Sequence, residues 1–307
     1  MKSITVFTPA YNRAYCLNLL YESLVRQTNQ DFHWLIIDDG STDNTQEVVQ
    51  QWLEEGKISM QYYKQTNKGM VGAHNTAHYM METELCVCMD SDDFMPDNAI
   101  ERILALWQEH GYPESAGLVG LDAFKDGKIV GTKLPENVKE CKFSELYVKY
   151  NVSGDKKFVH NRKVFNRYLP YPFFDGEKFP ITSYLYLFIE QKHKILLFNE
   201  VFCIVEYMPD GLSMNLFNQY KESPKSFAHY RKAKMQFALN YKERFKNAIH
   251  YVSSSLMAKN YKFLIESPFK LTTLLAFPFG VALYFYLKYF NRIIILYLSE
   301  IISYPDS

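Results

Sequence analysis

The stretch Leu85-Cys86-Val87-Cys88-Met89-Asp90-Ser91-Asp92-Asp93 joins an apolar run directly to three carboxylates. The apolar half has the length and composition of a buried strand, so the acidic half follows the carboxyl end of that strand. Crowded carboxylates repel one another, and a divalent cation that takes oxygen ligands removes this cost. Alternatively, Asp92 or Asp93 caps the helix that begins near Pro96-Asp97. The stretch therefore predicts a Mg²⁺ or Mn²⁺ site, with a helix cap as the simpler alternative.

Three similar junctions precede this one. Over the first 120 residues, short apolar runs alternate with helical patterns, which is typical of a mostly parallel sheet flanked by helices. The predicted strands are 4–8, 34–38, 59–63, 85–89 and 117–121, and the predicted helices are 17–26, 42–54, 71–81 and 97–109. The predicted fold class is α/β with a Rossmann-like sheet.

Polar residues follow each of the first four predicted strands. The four clusters are Thr8-Pro9-Ala10-Tyr11-Asn12-Arg13, Asp38-Asp39-Gly40-Ser41-Thr42-Asp43, Asn67-Lys68-Gly69 and Asp90-Ser91-Asp92-Asp93. In open α/β sheets, ligands bind beyond the carboxyl ends of the strands, where helix N-termini attract phosphate groups. Gly40 allows a left-handed turn or the close approach of a ligand, and Asp39 can accept hydrogen bonds from a base or ribose. Ser41 has a helix N-cap as its alternative role, and Asp97 also lies where an N-cap is expected. The clusters predict a nucleotide site.

Composition limits the remaining possibilities. The 307 residues carry a formal net charge of zero, so no global basic surface indicates a nucleic-acid partner. The five cysteines are odd in number and scattered, which is typical of reduced thiols in the cytoplasm. No charged-then-apolar leader begins the sequence, and we expect a cytoplasmic catalytic part. We predict a catalytic domain over 1–210, with a nucleotide-binding half (1–120) and an acceptor-binding half (121–210), followed by a helical C-terminal region (211–307).

The C-terminal region changes character near residue 270. Residues 221–270 contain eleven Lys or Arg and three Glu, and the run Leu271 to Leu287 is uncharged but contains Pro278 and Gly280. A spanning helix needs about 20 apolar residues, although Tyr289 to Ile302 adds further apolar surface. The pattern predicts peripheral attachment to the anionic inner face of the cytoplasmic membrane. A more deeply inserted helical pair and an oligomer interface are the alternatives.

The four clusters, together with Gly72-Ala73-His74-Asn75, resemble the family 2 inverting glycosyltransferases of the GT-A fold, of the bacterial cell-surface glycan type. The resemblance covers residues 1 to about 210. It implies transfer of a sugar from a nucleotide-diphosphate donor, with a UDP-sugar as the expected donor, to a glycan or lipid-linked oligosaccharide acceptor with inversion. The implied pathway is envelope or capsular polysaccharide synthesis. The Gln-X-X-Arg-Trp motif of processive synthases does not occur, which favours single-sugar addition.

The resemblance also implies roles for individual residues. Pro9, Ala10 and Tyr11 would line the base pocket, and Asp39 would hold the base. Asp92 would be the ligand for Mn²⁺ or Mg²⁺ in an Asp-X-Asp motif. Lys68 and Gly69 would approach the nucleotide, and Asp90 would face the ribose or sugar. The full predicted donor site consists of Thr8, Pro9, Ala10, Tyr11, Arg13, Asp39, Gly40, Ser41, Lys68, Gly69, Asn75, Asp90 and Ser91.

The catalytic base departs from the family pattern. The position at which the family commonly carries a Glu falls near Thr182-Ser183, and neither side chain is a carboxylate. The nearest carboxylates are those of Glu177 and Asp175, of which Glu177 is the first choice. The alternative is that both are solvated turn residues.

Other functions and sites remain open at this point. A nucleotidyltransferase uses a similar α/β architecture, and a catalytically inactive, membrane-attached scaffold would explain the displaced base. His74 and His78 lie four residues apart on one predicted helix, which is compatible with metal binding but more typical of a core position.

Overall fold

A computed structural model describes residues 2–178, 182–206 and 216–289 of the protein. The strands are β1 (Ile4–Ala10), β2 (Phe32–Asp38), β3 (Met60–Lys64), β4 (Leu85–Cys88), β5 (Gly117–Ala123), β6 (Glu140–Cys141), β7 (Lys156–Asn161) and β8 (Ile195–Ile204). The helices are α1 (Leu17–Val25), α2 (Thr45–Glu55), α3 (Gly69–Met80), α4 (Ala99–His110), α5 (Phe143–Val148), α6 (Arg162–Phe165), α7 (Tyr184–Ile189), α8 (Leu216–Glu222), α9 (Pro224–Gln236), α10 (Tyr241–Met257), α11 (Phe263–Glu266) and α12 (Lys270–Tyr289). Every predicted strand and helix of the first 123 residues is present, with ends shifted by at most a few residues.

All eight strands form one sheet in the order β3-β2-β1-β4-β7-β5-β8-β6. The first four strands are parallel, since β1 pairs in parallel with β2 and with β4, and β2 pairs in parallel with β3. The predicted α/β fold is therefore confirmed. The antiparallel insertion of β7 between β4 and β5 was not predicted from the sequence.

The sheet is covered on both faces because side chains alternate along its strands. On β1, Val6 belongs to one hydrophobic cluster, together with Trp34 and Leu20. Its neighbour Phe7 belongs to a second cluster, together with Ala73 of α3. Since period-2 alternation sends consecutive side chains to opposite faces, both faces are buried, and the carboxyl edge of the sheet is where polar loops remain accessible.

Both predicted helix caps are wrong. Helix α2 begins after Asn44, so Ser41 lies outside the helix, where its Oγ accepts a hydrogen bond from the backbone N–H of Asn12 (2.9 Å). Helix α4 begins after Asn98, and the Asp97 carboxylate pairs with the Arg26 guanidinium (3.1 Å). In each case a long-range partner outweighs the local cap.

The chain forms two compact units. The sheet unit comprises 2–171 and 188–206, and the helical unit comprises the described parts of 172–187 and 209–289. The predicted boundary near residue 210 therefore differs from this division in one respect, because the segment that carries Asp175 and Glu177 groups with the C-terminal helices. The apolar sequence predicted to continue to Ile302 lies, beyond Tyr289, outside the described residues.

Candidate functional site

The carboxyl ends of the parallel strands meet at one edge of the sheet unit. The backbone N–H of Asp39 donates to the carbonyl of Ala10 (2.8 Å), and the N–H of Met89 donates to the carbonyl of Phe7 (2.9 Å). The N–H of Lys68 donates to Oδ1 of Asp39 (2.8 Å). These bonds join β1 to the segments that follow β2 and β4, and they join the segment after β2 to the segment after β3. The structure confirms that the four polar clusters share one edge.

Asn12 connects the first two clusters. Its φ of 54° is left-handed, a conformation that asparagine tolerates better than most residues. Its side-chain oxygen accepts hydrogen bonds from the backbone N–H of Thr42 (2.7 Å) and of Asp43 (3.3 Å). The loop is thereby held so that the adjacent Tyr11 side chain is 47% exposed at the edge.

The two neighbouring aspartates of the second cluster have different environments. Asp38 is fully buried, and its carboxylate accepts hydrogen bonds from the N–H of Ser41 (2.7 Å) and the hydroxyl of Tyr62. The Lys64 ammonium lies 3.9 Å from the same carboxylate. Asp38 is therefore a structural residue that shapes the turn before Ser41.

Asp39 is held through one of its two carboxylate oxygens. Oδ1 accepts from the Lys68 N–H and from the side-chain amide of Gln65 (2.7 Å). The hydroxyl of Thr76 donates to the other end of the Gln65 amide (2.6 Å), which fixes the orientation of that amide. Among the described residues, every hydrogen bond to this carboxylate goes to Oδ1, which leaves Oδ2 as an acceptor for a ligand.

Glycine is required at Gly40 for two reasons. Its φ of 84° is left-handed, and a Cβ atom there would lie 3.1 Å from the backbone nitrogen of Asn67. The predicted left-handed turn is therefore confirmed, and the group that approaches Gly40 is the β3–α3 loop. That contact places Lys68, whose side chain is exposed, beside Asp39 at the start of α3.

The acidic run divides into an outer and an inner part. Asp90 is exposed and Asp92 is half-buried, whereas Ser91 and Asp93 are buried. The N–H of Asp93 donates to the carbonyl of Asp90 (3.2 Å), so the run forms a tight turn. Because α4 begins only at Ala99, neither Asp92 nor Asp93 caps it, and the helix-cap alternative is wrong.

A buried ionic network lies behind the run. Oδ2 of Asp93 is 3.6 Å from the ammonium of Lys157 on β7. Burial raises the pKa of Asp93 to about 7, although Lys157 opposes this shift. Burial also raises the pKa of Asp122 on β5 to about 6. For Lys157, burial lowers the pKa, but Cys203, Asp122 and Asp93 outweigh burial and hold the pKa well above its usual value. Asp93 is therefore directed inward, and the outer carboxylates face the edge.

The ionic network of Lys157, Asp93 and Asp122 was not predicted from the sequence. The signal that was available is the adjacent pair Lys156-Lys157 within an otherwise buried strand, because lysine is rarely buried without partners. The Lys156 ammonium donates instead to backbone carbonyls, including those of Val130 (2.9 Å) and Ser153 (2.8 Å).

Cys16 connects the first cluster to the acidic run. The thiol precedes α1, is buried, donates a hydrogen bond to the backbone carbonyl of Arg13 (3.6 Å) and lies near Ser91. Burial raises the pKa of the Cys16 thiol, and Ser91 and Arg13 partly oppose that shift. The turn that carries Arg13 therefore lies against the Asp90–Asp93 turn.

The residues at this edge fit a divalent cation of the Mg²⁺ or Mn²⁺ type. Asp92 and Asp90 offer carboxylate oxygens, which these cations prefer. In the described part of the chain, no three acidic, histidine or cysteine side chains converge on one point. A cation at Asp92 would therefore take several ligands from a bound diphosphate or from water, as Mg²⁺ commonly does.

Comparison with known proteins agrees with this geometry. Residues 5–123 match the family model described as "Glycosyl transferase family 2". These residues form a family 2 glycosyltransferase domain. An uncharacterised glycosyltransferase of Nostoc sp. is 32% identical over 105 residues, which cover 34% of this chain and 33% of that relative. The chain thus matches about a third of that relative's length.

Two solved structures share the fold. TarS of S. aureus (residues 1–349) is 17% identical, with a TM-score of 0.59 over 94% of this chain and 90% of that chain. TarS has also been solved with UDP and with UDP-GlcNAc. A mannosyltransferase of Pyrobaculum calidifontis, solved with GDP-Man and Mn²⁺, is 15% identical, with a TM-score of 0.55 over 94% of this chain and 88% of that chain. At these identities the likeness establishes the GT-A fold.

Two predicted donor residues of the glycosyltransferase domain have internal partners. Thr8 is fully buried, and its hydroxyl accepts a hydrogen bond from the indole N–H of Trp34 (3.0 Å). The side-chain amide of Asn75 donates to the carbonyl of Tyr171 (3.0 Å) and accepts from its N–H (2.8 Å). Their roles as donor contacts stay predictions, and in the structure both residues hold the scaffold behind the edge.

The two residues predicted as catalytic bases, Glu177 and Asp175, belong to the helical unit. The carboxylate of Glu177 accepts hydrogen bonds from the N–H of Lys225 (2.8 Å), the N–H of Ser226 (2.7 Å) and the Ser226 hydroxyl (2.6 Å). It thereby caps the N-terminus of α9, where a negative charge is favourable. Asp175 is exposed. The hydroxyl of Ser183, near the usual position of the family's base, lies 2.9 Å from the Tyr230 hydroxyl.

Three buried histidines, His74, His78 and His160, lie within the sheet unit. Burial lowers the pKa of His74 to about 4 and that of His78 to about 3, and it also lowers the pKa of His160 well below its usual value. His74 packs edge-on against Phe7, and His78 stacks on Phe165. The core interpretation of His74 and His78 thus fits their surroundings.

These histidines should make the protein less stable in mild acid. Histidine in the unfolded chain titrates near pH 6.5, so below that pH the unfolded state binds protons that the folded state cannot accept. Stability should therefore fall from pH 7 to pH 5.5, by about 1 kcal/mol per buried histidine. His78→Phe, which keeps the ring contact with Phe165, should reduce that fall by about 1 kcal/mol in urea unfolding. His110→Phe, at a more exposed ring, is the control, and an equal fall in wild type and His78→Phe would contradict the account.

Proposed function

We propose that the protein transfers a single sugar from a nucleoside-diphosphate sugar to a glycan or lipid-linked oligosaccharide acceptor, with inversion at the anomeric carbon. The observation that carries the proposal is the position of Asp39. Its Oδ1 is fixed by Lys68 and Gln65, its Oδ2 is left for a ligand, and the outer carboxylates of the acidic run share the same sheet edge. A base N–H needs an acceptor such as Oδ2 of Asp39, and a divalent cation that binds a diphosphate needs carboxylate ligands such as those of the run.

For the donor, we propose a UDP-sugar. TarS has been solved with UDP and UDP-GlcNAc, and its fold covers nearly the whole of this chain, which supports testing UDP-sugars first. The Oδ2 of Asp39 would accept the N–H of the base, and Tyr11 would pack against the base ring. Lys68, at the start of α3, would contribute positive charge near the nucleotide.

For the leaving group, we propose that Asp92 holds Mn²⁺ or Mg²⁺. Such a cation would supply Lewis-acid stabilisation of the negative charge on the departing nucleoside diphosphate. Among this chain's own groups, Asp90 would face the ribose or sugar. Lys157 compensates Asp93 inside the protein, so the buried carboxylate does not add an uncompensated charge behind the site.

For the base, we propose a carboxylate of the segment 174–178. The acceptor oxygen would form a bond to the anomeric carbon while the bond from that carbon to the diphosphate oxygen breaks on the opposite side. The hydroxyl proton would pass to the carboxylate. The sequence favours Glu177, but the contacts of its two oxygens with α9 favour Asp175 as the base and Glu177 as the residue that positions the segment.

We also propose that the enzyme works at the inner face of the cytoplasmic membrane and takes an acceptor presented there, as in envelope or capsular polysaccharide synthesis. The apolar helix α12 and the lysines that precede it support this location.

A donor-hydrolysis assay tests the proposed function. Purified protein is incubated with UDP- and GDP-sugars with and without Mn²⁺, and the nucleotide product is identified. We expect Mn²⁺-dependent release of a nucleoside diphosphate. Release of pyrophosphate or a nucleoside monophosphate would instead indicate nucleotidyltransferase-type chemistry, and the absence of any metal-dependent donor binding or cleavage would indicate an inactive scaffold.

The Thr76–Gln65–Asp39 chain of hydrogen bonds yields a further prediction. Gln65→Leu removes the side-chain donor to Oδ1, so the Asp39 carboxylate can rotate away from the base. We expect UDP affinity to fall about tenfold, equivalent to about 1.4 kcal/mol, and Thr76→Val to cause a smaller loss. Calorimetric titration with UDP measures both. Gln51→Leu, on the exposed face of α2, is the matched control, and unchanged affinity in Gln65→Leu would show that Asp39 needs no such support.

A further inference from the structure

Helix α12 has two different faces. Its buried residues recur at helical spacing and pack within the helical unit; they are Thr272, Thr273, Ala276, Gly280 and Leu287. At Gly280 a Cβ atom would lie 2.5 Å from the Cβ of Val252, so glycine is what allows α12 to lie directly against α10. This contact fixes which side of α12 faces outward.

The outward face is apolar along its whole length. Its most exposed members include Leu271 (71%), Leu274 (55%), Leu275 (52%), Phe285 (51%) and Tyr289 (66%). Pro278 and Ala282 lie on the same face and are also exposed. No charged residue occurs between Lys270 and Lys288. Exposed apolar patches of this extent mark interaction sites rather than ordinary surface.

The packing of α10 against α12 argues against a spanning helix. Besides the Gly280 contact, the ring of Phe245 packs on Phe279, with centroids 5.9 Å apart. Helix α10 begins Tyr241-Lys242-Glu243-Arg244, with charged side chains at three successive positions. If α12 crossed a bilayer, it would carry this partner into the hydrocarbon, where such side chains are costly. A helix that lies in the plane of the interface avoids that cost.

The charges around the outward face favour an anionic surface. Lys270 and Lys288 are 18 residues apart, which is five helical turns, so both flank the same side of α12. Helix α11 lies next to α12, since the Phe263 ring stacks on Phe277 (6.1 Å). The exposed Lys262 directly precedes α11, and the exposed Glu266 is its last residue. In a symmetric pairing of two copies these lysines would approach like charges, whereas anionic headgroups would attract them.

We propose that α12 docks in the plane of an anionic bilayer, with Leu271, Leu274 and Phe285 inserted at the boundary of headgroups and acyl chains and with Lys270 and Lys288 on the phosphates. This inference rests on the proposed membrane attachment and specifies its face, its depth and its lipid charge. It is a specific form of the peripheral attachment predicted from the sequence, and the inserted helical pair and the oligomer interface are the two alternatives that the test can favour instead.

Vesicle co-sedimentation of the full chain tests the proposal. We expect the wild type to bind vesicles of phosphatidylcholine with 30% phosphatidylglycerol at least tenfold more tightly than pure phosphatidylcholine vesicles. The double variant Leu274→Glu/Phe285→Glu should lose at least tenfold in affinity for the anionic vesicles. Lys270→Glu/Lys288→Glu should remove most of the preference for anionic lipid. Leu239→Glu, at a residue equally exposed outside α12, should bind as the wild type does.

Two further measurements keep the outcome decisive. Circular dichroism and UDP titration of the same variants should match the wild type, so that a loss of vesicle binding is separated from misfolding and from failure of the proposed enzymatic function. The proposal would be overturned if the wild type bound no vesicles and light scattering showed a dimer that Leu274→Glu/Phe285→Glu abolished. In that case a second copy of the chain would cover the outward face. Membrane-bound protein that resists extraction by alkaline carbonate would overturn it in favour of a spanning helix.

Discussion

Replacing Asp92 with asparagine should lower Mn²⁺-dependent sugar transfer by about 10³-fold, the loss expected when a group that stabilises transition-state charge is removed. The substitution keeps the size and shape of the side chain and removes the negative charge of a half-buried carboxylate at the edge of the sheet. The initial rate of UDP release at saturating donor measures the effect. The remaining rate should depend little on the Mn²⁺ concentration.

Two controls distinguish a loss of sugar transfer caused by the missing carboxylate from a loss caused by misfolding. Asp97→Asn changes an aspartate four residues beyond the acidic run that pairs with Arg26 on the surface, and it should leave the rate within twofold of the wild type. The unfolding midpoint of Asp92→Asn in urea, compared with that of the wild type, shows whether a loss of rate reflects a loss of folded protein. If the rate of Asp92→Asn were within twofold of the wild-type rate, Asp92 would not be the ligand of a catalytic cation.

Replacing Asp175 with asparagine should lower turnover by about 10²- to 10⁴-fold, the usual contribution of a general base, while UDP affinity stays unchanged. Glu177→Gln should behave differently, because an amide can accept only part of the hydrogen bonding that α9 offers to a carboxylate. We expect Glu177→Gln to lose about 1 kcal/mol of stability and less than about tenfold in turnover. Paired measurements of turnover, KM and urea unfolding distinguish the two roles.

The opposite pattern would reverse the assignment. Near-normal turnover in Asp175→Asn, combined with a loss of more than 10²-fold in Glu177→Gln at unchanged stability, would make Glu177 the base, as the sequence alone suggested. Ser226→Ala is a useful companion variant, because it weakens the cap without altering either carboxylate. It should reproduce part of the stability loss of Glu177→Gln and none of the loss of Asp175→Asn.

The sequence predicted the first half of the fold because its signals are local. The strands β1 to β4 and the helices between them form where the apolar periodicity of the sequence predicts them. Gly40 occupies a position that requires a left-handed φ. The edge shared by the four polar clusters then follows from parallel pairing alone.

The features that were missed depend on distant partners. The insertion of β7 between β4 and β5 brings Lys157 behind Asp93, and no sequence period encodes that contact. The predicted caps failed for the same reason, since Ser41 bonds to Asn12 and Asp97 to Arg26. Glu177 looked like a free carboxylate because its partners on α9 lie nearly fifty residues further along the chain.

Calorimetric titration of the wild type with UDP, in the presence and absence of Mn²⁺, tests the central claim most directly. We expect UDP to bind in the presence of Mn²⁺ and to bind at least tenfold more weakly without it. Asp39→Asn should weaken UDP binding in both conditions. Asp92→Asn should remove the effect of Mn²⁺ on UDP binding. An absence of UDP and GDP binding in either condition, or binding that neither Mn²⁺ nor these two substitutions alters, would contradict a nucleotide-sugar site at this edge of the sheet.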